Sequence, residues 1–334
     1  ANRAIARYRD IEARSGVKFY QEVGCLLTGP KRGGTDGYIG HVTEAAKTLG
    51  VGATVLESVG LDTQFPFFTF PTDTDGVFEA SGAGHISPRN LVKAQVILAA
   101  KSGATIFAQI AVRLEAGPDN IRIDLENGDS LTAEKVLIAA GGFTNGSGLL
   151  PDPIDLLVCA RTIAYFEVSP AEAERLSAMP SLITKPVDET KSIYMLPPIQ
   201  YPDGKFYLKT GGDPFDIPVV QDSDMRAWFR TDGMVSVREH LVERTRELLP
   251  DLDIVNITSA ACVTSYTPTT YPMIGLTRDP RIGVMAGCGG ASAKSSDEIG
   301  RLGSELMLKG AIDDPDYSTD FRADFRPAKS ASGH

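Results

Sequence analysis

Two short apolar runs that end in glycines constrain this chain most. Residues 135–140 (Lys-Val-Leu-Ile-Ala-Ala) lead into Gly141-Gly142, and residues 282–286 (Ile-Gly-Val-Met-Ala) lead into Gly287-Cys-Gly-Gly-Ala-Ser292. Neither run alternates apolar with polar residues, as a strand buried on both faces does not. Glycine directly after such a strand lets the backbone approach a ligand closely. After the second run a helix is predicted from about Ser295, with Asp297 and Glu298 in its first turn and Ile299, Leu302 and Leu306 on one face. A helix start offers free N–H groups and partial positive charge, so strand, glycine loop and helix together make a place for an anionic ligand. The same pattern also serves as a plain tight turn. No G-x-G-x-x-G, Walker A sequence or G-x-S-x-G elbow occurs anywhere.

The rest of the chain divides by style. Residues 4–14 predict a helix that stops at Gly16, Val17–Thr28 strands, 41–49 a short helix, and 56–82 an irregular stretch rich in Phe and Pro. Ser87 and Pro88 are a good N-cap and first helical residue for a helix ending at Gly103. Thr105–Leu114 predicts a strand, and Ile121, Ile123 and Leu125 alternate with charged residues before an Asn127-Gly128 hairpin turn. Between 151 and about 255 the chain is proline-rich, with strand-like pieces at 159–167, 192–196 and 205–210 and one helix at 236–249. This middle part reads as an antiparallel sheet with loops. The whole predicts a mixed α/β (α+β) protein.

Composition removes some functions. The formal charge is −10, from 43 acidic and 33 basic residues, which argues against non-specific binding to nucleic acid or anionic membrane. No run of 18 apolar residues and no signal-peptide pattern occurs, which predicts a cytoplasmic protein. Cys25, Cys159, Cys262 and Cys288 form no C-x-x-C pair, and the four histidines show no metal spacing, so no metal is expected and a reducing compartment is. Three further residues stand out. Lys209 ends a strand in Leu-Lys-Thr-Gly-Gly, where a lysine is most often on the surface. Tyr194, in Ile-Tyr-Met-Leu-Pro, reads first as a sheet-packing tyrosine, and Cys262 as an inert buried thiol.

In this order, the segments over about residues 4–310 resemble the D-amino-acid oxidase / sarcosine oxidase family of FAD-dependent oxidoreductases. Gly24-Cys-Leu-Leu-Thr-Gly29 and Gly84-His-Ile-Ser-Pro-Arg-Asn-Leu-Val resemble the family's crossing into the substrate domain and its helix start. The strand with Val112 resembles the one whose valine backbone contacts the adenine, and Ala140, Gly141 and Gly142 resemble the turn beside the cofactor. Arg161 matches a basic residue just after the chain crosses to the second domain. Tyr194 resembles an active-site tyrosine. Lys209 falls where the sarcosine oxidase branch carries a lysine that helps oxygen react, once an insertion over Pro198–Lys205 is allowed. Cys262-Val-Thr-Ser-Tyr-Thr-Pro-Thr resembles the segment whose cysteine, in some members, is bonded to flavin. Gly287, Gly289, Gly290, Ala291, Ser292 and Lys294 resemble the loop that holds the flavin, with the lysine near a substrate carboxylate.

The resemblance implies a Rossmann-like FAD-binding domain, incomplete at its N-terminus, over 1–22, 83–150 and 256–315. It is interleaved with an antiparallel-sheet substrate domain over 23–82 and 151–255, before a C-terminal tail at 316–334. It implies FAD as cofactor and oxidation of the C–N bond of an amine or amino acid, with hydride passing to flavin N5, an imine product and reoxidation by O2. Lys209, Tyr194 and Lys294 are the implied catalytic residues. A dehydrogenase using another electron acceptor, or a flavin-less protein of the same fold, is the alternative. The sequence departs from the pattern at Ala291 and Asp213, where histidines are usual, and at Thr269, where Asp is. These changes argue against sarcosine itself as substrate. Family members begin with a strand, G-x-G-x-x-G and an acidic residue, and roughly 60 such residues are expected ahead of Ala1, together with a substrate-binding arginine.

Overall fold

The computed structural model describes residues 2–33, 37–146 and 148–326; part of the basic glycine loop after Gly29 lies outside them. Helix α1 (Asn2–Ser15) turns Ala4, Tyr8 and Ile11 inward. Strands β1 (Tyr20–Gln21) and β2 (Cys25–Pro30), helix α2 (Tyr38–Thr48) and strand β3 (Ala53–Leu56) follow. The stretch expected to be irregular instead holds α3 (Ser58–Gln64) and β4 (Thr74–Glu79). Here Asp75 is buried and accepts from the Arg32 backbone N–H and Nε, and β4 pairs with both β2 and β3. Tertiary pairing overrides the local signal.

After β5 (His85–Ile86), α4 (Pro88–Lys101) begins as expected, with Ser87 Oγ accepting from Asn90 N–H. It packs Leu91 and Ala94 against α1. The strand predicted over 105–114 starts late, as β6 (Ala111–Ala116). Residues 104–110 are irregular, with Ile106, Phe107 and Ile110 about half exposed. A strand needs a neighbour for its backbone groups, and among the described residues 104–110 has no ladder partner. Strands β7 (Ile121–Leu125) and β8 (Ser130–Ala133) complete the expected hairpin beside β6. Then come β9 (Val136–Ile138) and a 3-10 turn at Gly141–Asn145.

The second half contains β10 (Leu157–Val168), α5 (Pro170–Arg175), β11 (Ser181–Thr184), β12 (Ile193–Gln200), β13 (Phe206–Gly211), β14 (Ile217–Pro218), α6 (Asp222–Trp228), α7 (Val235–Leu248) and β15 (Asn256–Tyr266). It closes with β16 (Met273–Leu276), β17 (Ile282–Ala286) and α8 (Ser296–Lys309). Residues after α8 run over the surface: Phe321 O accepts from Ile274 N–H, and Asp324 O from Asp155 N–H.

The dominant sheet has nine strands in the order β14-β10-β13-β12-β11-β2-β4-β3, with β15 pairing β10 along its length. All its pairs are antiparallel except β11 with β2. Strand β15, which the resemblance assigns to the cofactor half, therefore belongs to this sheet by pairing. One face carries Leu26, Ala164, Phe166, Leu182, Met195 and Leu208, packed on Val237, Leu241 and Leu248 of α7. The alternate residues of β10, including Arg161, Ile163 and Tyr165, are only half buried. A second sheet, β16-β17-β9, sets β17 parallel to β9 and carries α8 through Ile299, Leu302 and Leu306.

Candidate active site

Directly opposed residues in a sheet point to the same side, so the registers define what shares the half-buried face. Arg161 opposes Cys262, Tyr165 opposes Lys209, Ile163 opposes Gly211, and Gly211 opposes Tyr194. Tyr194 opposes Ile183, which opposes Leu27, two residues beyond Cys25. One face thus gathers Cys25, Tyr194, Lys209, Tyr165, Arg161 and Cys262 from five strands. Its opposite is the apolar core. The Tyr194 ring lies across Gly211, where a Cβ would stand 2.5 Å from the ring. Only glycine leaves that space.

Lys209 is the electrostatic centre of this face. Its Nζ sits 5.7 Å from the centroid of the Tyr194 ring, and no carboxylate pairs with it among the described residues. Burial lowers its pKa, Cys262 opposes that shift and Arg89 adds to it. His85 is pushed down to about 4 by burial, with Lys209 acting in the same direction, so it is neutral at ordinary pH. Burial, then Cys262, raises the Tyr194 phenol. Asp213 is pushed up to about 6 by burial, although the Thr162 N–H and Arg161 favour its charged form. Arg161 donates to the Thr264 hydroxyl (2.9 Å) and Tyr266 (3.2 Å) and pairs with Asp216.

The Gly287–Lys294 turn reaches this face, with Gly289 beside the Tyr266 ring, whereas Gly142 lies against Met225, Val158 and Val263 on the opposite face of β10 and β15. Strands β9 and β17 are parallel neighbours and lead into Gly141 and Gly287. Ligands bind outside the carboxyl ends of such strands. Gly287 has φ +78°, and a Cβ there would lie 2.2 Å from the Thr267 methyl. Gly289 N–H donates to Ser265 O at the end of β15 (2.8 Å), which ties the loop to the large sheet. At Gly141 and Gly290 a Cβ would meet nothing within 4 Å, so bare backbone faces open space. Lys294 is exposed at the end of a 3-10 turn, Ser292–Lys294, and its charge reaches Cys25 on the site face of β2. Tyr8 on α1 donates to Ala293 O (2.7 Å) and fixes the turn from behind.

Of the residues singled out in the sequence, Lys209, Tyr194 and Cys262 are thus brought to one face, Gly287–Lys294 reaches that face, and Ala140–Gly142 lies beside Gly287–Lys294 through the pairing of β9 with β17. Val112 stands apart, in the three-stranded sheet β6-β7-β8, at a register shift between β6 and β7. Sequence reasoning did not single out Tyr165, which opposes Lys209, His85 and Arg89, whose electrostatics couple to it, or Tyr201, which packs on Tyr165. Period-two spacing puts Tyr207, Lys209 and Gly211 on one face. Nothing in the sequence says which strands lie beside them.

Bare glycine backbone at the carboxyl ends of parallel strands suits a nucleotide cofactor, and the large sheet carries a half-buried lysine with no carboxylate partner among the described residues. Residues 1–306 match the family model "FAD dependent oxidoreductase", and the chain belongs to that family. It is 24% identical over 324 residues to the monomeric sarcosine oxidase of Bacillus sp. (strain B-0618), covering 93% of this chain and 77% of that protein. Among solved structures it is similar to NikD, an amino acid oxidase of nikkomycin biosynthesis (TM-score 0.72, 20% identity, 95% of this chain and 80% of that one). It is also similar to glycine oxidase from Geobacillus kaustophilus (TM-score 0.70, 17% identity, 92% and 77%). The cofactor of the family is FAD, and the two open glycine turns fit its close approach. No described helix is long and apolar enough to cross a membrane.

Proposed function

We propose that this protein oxidises the C–N bond of a small amine or amino acid, using FAD and passing the electrons to O2. The observation that carries the reading is the half-buried Lys209 beside Tyr194, with no carboxylate partner among the described residues, on the sheet face that Lys294 also reaches. When bound, FAD supplies two-electron chemistry, taking a hydride from the carbon beside the nitrogen and returning electrons to an acceptor. Ala140, Gly141, Gly142, Gly287, Gly289, Gly290, Ala291 and Ser292 would hold it by backbone approach, with Cys262 on the facing strand and Val112 toward the adenine.

The chain's own groups do the rest. Lys209 presents a positive charge where negative charge develops on oxygen, a preorganised effect that is strong because the group is desolvated. Lys294 attracts the substrate carboxylate, and Tyr194 orients the amine through its hydroxyl. Burial keeps that phenol protonated and able to donate. Water is kept from the reacting carbon by the half-buried sheet face. The test is to reconstitute the protein with FAD and add amino acids and N-alkyl amino acids without air. Loss of the visible flavin band, with recovery on admitting O2, is expected. A band that no amine or amino acid bleaches contradicts the reading.

A further inference from the structure

Arg89 lies in the first turn of α4, one of three cationic or basic groups around the same point. Its guanidinium stands 5.5 Å over the Tyr201 ring and has no carboxylate partner among the described residues. Its charge is felt at Tyr165, at Tyr201 and at Lys209. His85 beside Lys209 stays neutral and supplies no counter-charge. The guanidinium is exposed and so open to an anion.

The surroundings are built. Tyr165, Tyr201 and Tyr207 pack edge to face, with ring centroids 5.7, 6.2 and 5.2 Å apart. The Tyr207 hydroxyl donates to Asp203 (2.8 Å). Tyr201 sits in the tight turn between β12 and β13, closed by Tyr201 N–H to Lys205 O (2.9 Å). That turn is the Pro198–Lys205 insertion relative to the family pattern. Tyr201 of this turn thus packs on Tyr165 of β10 and Tyr207 of β13, and the Arg89 guanidinium of α4 lies over its ring. A guanidinium flanked by phenol donors suits a planar carboxylate, which it binds through two parallel hydrogen bonds.

We propose that Arg89, with Tyr165 and Tyr201, binds a second carboxylate of the substrate. The substrate is then a dicarboxylic amine: an amino acid with an acidic arm, or a secondary amine with a carboxylate on each arm. This rests on the reading of the site as an amine-oxidising one, in which Lys294 takes the first carboxylate and Lys209 stays free for oxygen.

The test uses two unreactive ethers on the FAD-loaded protein, oxydiacetate with two carboxylates and methoxyacetate with one. Binding is followed by calorimetry and by the shift of the visible flavin band. Oxydiacetate is expected to bind about tenfold tighter or more, as one charge-assisted bidentate contact allows. In Arg89→Met that preference falls to within about twofold, and in Arg89→Lys, which keeps the charge, several-fold preference remains. No preference in the parent protein, or the same preference in Arg89→Met, overturns the second-carboxylate site. If methoxyacetate still shifts the flavin band in that case, the amine-oxidising site stands without it. If neither ether shifts the band, the reading of the site itself falls, and the proposal with it.

Discussion

Tyr194 owes its place to a side chain that is absent. A Cβ on Gly211 would fall 2.5 Å from the ring and 2.7 Å from its hydroxyl, so the ring can lie flat on the sheet only over glycine. Gly211→Ala is expected to push the ring aside. Overpacking of this kind costs about 1–3 kcal/mol. Substrate-dependent turnover should fall much further than that loss of stability explains, because the phenol no longer faces the amine. Urea unfolding alongside steady-state kinetics checks this. Unchanged turnover would mean that Tyr194 only packs. From sequence, Lys209 and Tyr194 read first as ordinary surface and sheet residues. What separates them from that reading is burial without a partner, a property of the neighbours across the strands and not of the residues themselves.

At the scale of elements, the glycine loop is held by what lies behind it. Helix α8 buries Ile299, Leu302 and Leu306, and its Glu298 accepts from Arg301 (2.8 Å), Arg3 (3.1 Å) and Tyr317 (3.1 Å). These contacts join α1, α8 and the C-terminal stretch. Hydrogen bonds from Arg301 and Arg3, against the cost of burial, hold the Glu298 carboxyl down to about 2. A folded-state pKa below the ordinary 4.5 contributes stability that is fully present above that value and lost as pH falls toward about 2. Glu298→Gln is therefore expected to cost about 2 kcal/mol at pH 7, with the gap to the parent closing on acidification through that window. A gap independent of pH would show that the charge is not what matters. Helix α8 was legible from its apolar spacing and β17 from its unbroken apolar run. Strand β4 was not, because it lies in the Phe- and Pro-rich stretch read as irregular and is made by its pairing with β2 and β3. The strand expected over 105–114 failed for the converse reason: its apolar residues have the right character, yet among the described residues no strand lies beside 104–110 to pair with them.

At the scale of the molecule, the site exists only because distant segments meet. Val136 opposes Ile282 and so brings the two glycine turns side by side. Cys262 comes to face Tyr194 and Lys209 through β15 and β10. Both glycine runs were visible in the sequence, and the resemblance ordered them, but the pairing that makes them one wall is a tertiary fact. The division into a cofactor half and a substrate half remains a proposal, with β15 counted by its pairing in the large sheet. The measurement that tests the account most directly is the rate at which O2 reoxidises the substrate-reduced flavin, in the parent protein and in Lys209→Met, by stopped-flow absorbance. Loss of a preorganised charge of this kind predicts a fall of about a hundredfold or more, with the anaerobic reductive step far less affected. Reoxidation at the parental rate would contradict the role given to Lys209 and, with it, the oxidase reading of this site.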